Sequence, residues 1–156
     1  MAKSFVYGLR YSDGPIVYVG STIFDPQKRL ADHIKKADSL CGFRNSRDFR
    51  PVLAWILACP DRSLISVEML AEIESSTATA RYACEKALIQ QVAMQTLVSH
   101  KIVTCNLDHN PYRLHYRVRN SEIDFVSVWQ VFSDDVPDVM TAEEAVAIPA
   151  ASEAVQ

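Results

Sequence analysis

The sequence predicts a single domain of mixed strands and helices. Three observations point to it. Two short segments rich in β-branched and aromatic residues, 4–11 and 16–22, flank a strong turn signal. Three further segments between residues 25 and 97 carry helical caps, stops or periodicity. A length of 156 residues, with 49% hydrophobic and 22% charged residues, suits one ordinary globular core. No stretch approaches the ~18 uncharged apolar residues of a membrane span. The first ten residues, MAKSFVYGLR, lack an apolar run of signal-peptide length. A cytoplasmic protein without a membrane partner is expected.

The elements follow in order. SFVYGLRY and IVYVGST, joined by Ser12-Asp13-Gly14-Pro15, read as a β-hairpin. Asp25-Pro26 reads as an N-cap followed by proline at the first helical position, opening a helix over QKRLADHIKKADSL with Leu30, Ile34 and Ala37 on its apolar stripe. A second helix is expected from about Asp48 to Ala58, stopped by Pro60. Residues 63–73 read as a third strand. Ser75-Ser76-Thr77 opens a long helix to about Leu97, and HKIVTCNLDHNP is a short strand or loop. YRLHYRVR, residues 112–119, alternates cleanly and places Arg113, His115, Arg117 and Arg119 on one face. Asn120-Ser121 turns the chain into a return strand, DFVSVWQVF, so residues 111–133 form a hairpin extension to a main unit of residues 1–110. Residues 134–156 are an acidic tail, expected to be disordered apart from a short helix near Thr141–Ala147.

Charge is unevenly distributed. Residues 1–60 hold nine Lys/Arg against five Asp/Glu, whereas residues 134–156 hold none against six. A polyanionic partner is therefore expected to approach the first third. Arg44, Arg47 and Arg50 offer one basic patch there. The four cysteines, Cys41, Cys59, Cys84 and Cys105, show no metal-ligand spacing and read as buried thiols.

Four features carry possible chemistry. If Tyr11 opposes Ile16, Tyr7 opposes Gly20 and Leu9 opposes Tyr18, so both phenols share a sheet face beside a glycine that leaves room for another group. Strand tyrosines also serve as plain cross-strand packing. Arg29 and His33 lie one turn apart on a helix, where a guanidinium fork can bind phosphate oxygens and an imidazole can move a proton; with Lys36 they equally fit a solvated basic face. Glu85 is a lone carboxylate in a stripe of Ala78, Tyr82, Leu88, Ile89 and Val92. Burial of that charge requires compensation, either by a divalent cation or by an Arg or Lys partner. Asn106, in TCNLDHN, reads alone as a turn residue.

The order of these features resembles the GIY-YIG nuclease family. Phe5-Val6-Tyr7 matches the first half-motif, with Phe5 where the family has glycine, and Tyr18-Val19-Gly20 matches the second. Ser21-Thr22 follows the glycine as in the family. Arg29-Leu30-Ala31-Asp32-His33 matches its R-L-x-x-H pattern; Arg29 rather than Lys28 is the matching cation because Leu30 and His33 then fall into register. The match extends to Glu85 on the long helix and to Asn106, with Asn110 competing for the last position.

The resemblance implies an α+β fold with a small, mainly antiparallel three-stranded sheet flanked by helices. It implies a metal-dependent DNA endonuclease using one Mg²⁺, or Mn²⁺, held by Glu85. Tyr7 is then the general base, with a depressed pKa, Arg29 stabilises phosphate charge, and Tyr18 and His33 orient the reacting groups. Gly20, Ser21 and Asn106 border the substrate, and Arg113, Arg117 and Arg119 are candidate DNA contacts. Two other readings remain open: a non-catalytic nucleic-acid-binding protein that keeps the fold, and an interaction module without nucleic acid.

Overall fold

The computed structural model describes residues 3–44, 46, 48–110, 118–119, 122–123 and 139–147, with 118–119 and 122–123 described by backbone alone. Strands β1 (Ser4–Tyr11), β2 (Tyr18–Thr22) and β3 (Ile65–Ile73) form one sheet in the order β2-β1-β3, and both pairings are antiparallel. The expected hairpin register holds: Tyr7 pairs with Gly20 and Leu9 with Tyr18. β2 begins at Tyr18, later than expected: the Val17 N–H still donates to the Leu9 carbonyl of β1, but the Ile16 carbonyl accepts from Thr96 and the Val17 carbonyl from Cys105. A bulge interrupts the β1–β3 ladder between Val6 and Tyr7, where Val6 pairs with Ala71 but Tyr7 with Met69. Such irregularities re-aim a side chain locally.

Helix α1 spans Pro26–Leu40, and the Asp25 carboxylate caps it by accepting from the Gln27 N–H. Helix α2, Pro51–Ala58, starts three residues later than the sequence suggested. The cause is Pro51: it fits the first helical position and forces the preceding Arg50 into an extended conformation, φ −101° and ψ 159°. A 3₁₀ turn, Arg62–Leu64, leads into β3. Helix α3 runs Ala78–His100; Thr77 caps its start, and Lys101 ends it in the left-handed region, φ 55°. Strand β4, Ile102–Val103, follows.

Strand periodicity sorts the core into two layers. Tyr7 and Leu9 face a cluster that includes Leu30 of α1 and Leu53, Trp55 and Ile56 of α2. Val6 and Val19 face Ile89 and Val92 of α3 on the other side of the sheet. α2 is apolar on every side and buried from Pro51 to Ile56, as a helix without a polar face must be. Cys59 and Cys105 are buried as expected, Cys84 is half-buried, and Cys41 is exposed.

The C-terminal part brings a correction. β5 (Val118–Arg119) pairs antiparallel with β6 (Glu122–Ile123), in line with a turn at 120–121. The remainder of that hairpin, including Arg113, His115 and Arg117, lies outside the described residues, as does Arg47. The acidic tail, expected to be disordered apart from a short helix near Thr141–Ala147, does form that helix, and its described residues 139–147 pack against the core. Strand β7 (Met140–Thr141) runs parallel to β4, and helix α4 (Ala142–Ala147) covers α2. Val139 and Ala142 are buried, and burial of these apolar positions outweighs the acidic composition around them. Thr141 and Glu144 form a capping box: Glu144 Oε1 accepts from the Thr141 N–H, and Thr141 Oγ1 accepts from the Glu144 N–H. Among the described residues no helix is long and apolar enough to cross a membrane.

Candidate active site

The site assembles around β2, an edge strand of the sheet. Gly20 carries no side chain, and the Tyr7 ring fills that space: a Cβ at residue 20 would fall 2.5 Å from Tyr7 Oη and 3.0 Å from Tyr18 Cε2. The Tyr7 and Tyr18 rings stand 6.5 Å apart at 51°. Tyr18 also meets the His33 ring edge-on, at 5.5 Å. Tyr7 Oη lies 3.1 Å from His33 Nε2. Thus the hairpin and α1 bring both phenols and the imidazole together.

Burial sets the protonation of this group. It pushes the Tyr7 phenol above its ordinary value; the Arg29 guanidinium, by charge and hydrogen bonding, pulls the other way without winning. Arg29 by itself thus does not depress the Tyr7 pKa, the direction expected of Arg29 and a bound cation together. Tyr18 is raised too, again by burial first. His33 is pushed down to about 4 by burial and by the charges of Arg29 and Lys36, so it is a neutral imidazole. Arg29 is 40% exposed and makes a long, weak ion pair of 3.8 Å with Asp32, which leaves its fork open to an anion. Lys28 is committed elsewhere, with its ammonium 5.4 Å from the Phe24 ring centroid.

Glu85 approaches from the other side of the sheet. Strand alternation sends Ser21 toward α3, where its hydroxyl donates to Glu85 Oε2 at 2.9 Å. The carboxylate and the phenols thus occupy opposite sheet faces and meet around the β2 edge, in a cleft of about 460 Å³ lined by Tyr18, His33, Glu85 and Asn106 among others. Burial raises the Glu85 pKa, opposed by the Ser21 hydrogen bond and by the charges of Arg81 and His109. The predicted apolar stripe around Glu85 is real only on its C-terminal side: Ile89 and Val92 are buried, but Ala78 and Tyr82 are exposed.

Among the described residues Glu85 forms no ion pair within 4 Å; its compensation is the Ser21 hydroxyl and the more distant charges of Arg81 and His109. A half-desolvated carboxylate with free lone pairs beside a phosphate-sized cleft fits a hard divalent cation that completes its shell with water and substrate oxygens. No group of three or more His, Cys, Asp or Glu side chains suited to a metal occurs among the described residues.

Asn106 sits in the site but spends its carboxamide on structure. Its Nδ2 donates to the Val19 carbonyl at 2.8 Å, and its Oδ1 accepts from the Val19 N–H at 2.9 Å. Together with the Cys105 N–H on the Val17 carbonyl, it closes the β2 edge that would otherwise stand unpaired. Asn110 in turn donates to the Asn106 carbonyl and holds the loop. Asn106 also lines the cleft, so its carboxamide supports β2 from within the site. Of Arg113, Arg117 and Arg119, only the Arg119 backbone is described, so none is placed in the site.

The cleft also contains residues that the sequence did not single out for it: Lys36, Arg50, Tyr82, Asp108 and His109. For two of them a signal existed. Lys36 lies three residues after His33 and Tyr82 three before Glu85, each one turn away on the same helix face.

A sequence model of the GIY-YIG catalytic domain matches residues 3–96. That span holds Tyr7, Tyr18, Arg29, His33 and Glu85 and ends before Asn106. Comparison with curated proteins and with solved structures finds no match. The matched domain covers more than half of the sequence, and the chain belongs to the GIY-YIG nuclease family.

Proposed function

We propose that the protein is a DNA endonuclease that hydrolyses phosphodiester bonds in the cleft beside β2. The observation that carries this is the Tyr7–His33 contact of 3.1 Å, with the Arg29 charge acting on Tyr7 and with His33, Tyr18 and Glu85 lining one cleft. Tyr7 is the general base. It takes the proton of the attacking water while its own phenolic proton passes to His33 Nε2, which is neutral and within hydrogen-bond distance. Arg29 favours the phenolate and receives the non-bridging phosphate oxygens, whose charge grows as the nucleophile adds. Tyr18 packs against His33 and keeps the imidazole aimed at Tyr7. Ser21 holds Glu85 in place and keeps it more acidic than burial alone would leave it. Glu85 would hold a single Mg²⁺ or Mn²⁺, which supplies charge stabilisation to the phosphate and leaving oxygens when bound.

One observation favours a second reading. Tyr7, the proposed base, is 1% exposed, which suits a protein that binds nucleic acid without cutting it. Cleavage of plasmid and branched DNA, with Mg²⁺ or with EDTA, by wild type and by Glu85→Ala separates the two. Nicking that needs the metal and disappears in the variant supports the endonuclease. DNA binding without cutting under every condition supports the second reading.

A further inference from the structure

Three groups in the cleft are not used by the chemistry above. Tyr82 is 57% exposed, although it lines the same cleft as Glu85. Three residues apart on α3, their side chains are one turn apart, about 5–6 Å between Cβ atoms. That is the scale of one nucleotide step from the phosphate that Glu85 serves. The Arg81 guanidinium carbon lies 5.1 Å from the Tyr82 ring centroid, which restrains the ring on the helix surface. Lys36 and Arg50 contribute two cations to the cleft wall, from the middle of α1 and from the residue before α2.

An exposed aromatic ring beside cations in a phosphate-sized cleft has the two properties that single-stranded nucleic acid needs: a π face for a base and charge for the backbone. Resting on the endonuclease reading above, we infer that Tyr82 is a stacking platform for an unpaired base next to the cleaved phosphate, while Lys36 and Arg50 hold the neighbouring phosphate. A base inside a continuous duplex already stacks on its neighbours and reaches Tyr82 only at the cost of being unstacked. The substrate class is therefore DNA with an unpaired nucleotide at the cut: single-stranded, bulged or branched.

The test uses oligodeoxynucleotides carrying 2-aminopurine, either in a single-nucleotide bulge or fully paired, in EDTA so that binding is read without cleavage. Stacking on Tyr82 quenches the bulged probe further when wild type binds, whereas the paired probe, already quenched by its duplex neighbours, does not change. Tyr82→Ala abolishes the quench and weakens bulge binding roughly 5- to 150-fold, the range for one lost base–aromatic stack. Tyr82→Phe restores both, which a folding defect would not allow. Lys36→Ala keeps the quench but weakens binding and lowers the salt dependence by about one phosphate contact. Tyr82→Ala that binds and quenches like wild type overturns the stacking role and leaves the endonuclease standing. Absence of DNA binding by wild type overturns both.

Discussion

Gly20 and Tyr7 form one steric unit: the phenol of Tyr7 occupies the volume that any side chain at position 20 would need, with a hypothetical Cβ 2.5 Å from the hydroxyl oxygen. The Tyr7 ring cannot swing aside, because it is 1% exposed and packed in the α1/α2 cluster. Nor can β2 retreat, because Asn106 holds Val19 on its outer edge.

Gly20→Ala is therefore expected to displace Tyr7 from His33. A misplacement of about 1 Å lowers turnover roughly 100-fold, and overpacking costs about 1–3 kcal/mol. Gly8→Ala is the control. Its Cβ would meet Ile16 Cγ2 at 2.7 Å, a clash of similar severity that falls on the other core cluster and does not touch Tyr7. Turnover and urea midpoints of the two variants check this; equal activity in both would refute the steric coupling.

Asn106→Ala is expected to unpair the Val19 N–H and carbonyl on a buried edge and to destabilise the fold by about 1–3 kcal/mol. Asn106→Asp keeps an acceptor for the N–H but sets oxygen against the carbonyl, so it should fall no better than midway. Urea denaturation at one pH reads both. If Asn106→Ala leaves the midpoint unchanged, the edge-closing role is wrong.

His33 makes stability depend on acid. Its pKa falls from an ordinary 6.5 to about 4 in the folded protein, through burial and the charges of Arg29 and Lys36, with Asp32 opposing. The unfolded chain therefore binds the proton more readily. The contribution is complete above pH 6.5 and is lost as pH falls toward 4. The loss amounts to about 2–3 kcal/mol for a group this buried. Wild-type urea midpoints should drop across that window, and those of His33→Gln should drop less. Parallel profiles for the two proteins would contradict the shift.

Truncation after residue 138 is expected to destabilise the protein rather than to free its basic surface. It removes Val139 and Ala142 from the core, the Met140–Ile102 pairing, and the Glu143 partner of Arg44 at 3.7 Å. Loss of one fully buried valine alone is worth about 1.5–3 kcal/mol. An unchanged melting temperature would show that the segment is dispensable.

Much of the site is readable from local pattern. Turn chemistry and strand alternation set the β1–β2 register, and that register alone puts Tyr7 and Tyr18 together above Gly20. Helical spacing places Arg29 and His33 on one side of α1, and Asp25-Pro26 and Thr141-x-x-Glu144 announce their helices through caps. These are short-range constraints, fixed by neighbours a few residues away.

Tertiary packing decided the rest. Only the folded chain reveals that Glu85 and Tyr18 line one cleft around a strand edge, and that Asn106 is a strand partner for Val19. Only burial, summed over groups distant in sequence, raises Tyr7 and lowers His33. The acidic composition of the tail pointed to disorder around one short helix, but Val139 is buried and Ala142 packs into the cluster that holds α2, which no local pattern encodes. Register and caps depend on backbone geometry within a few residues, whereas desolvation and edge closure depend on which distant surfaces come together.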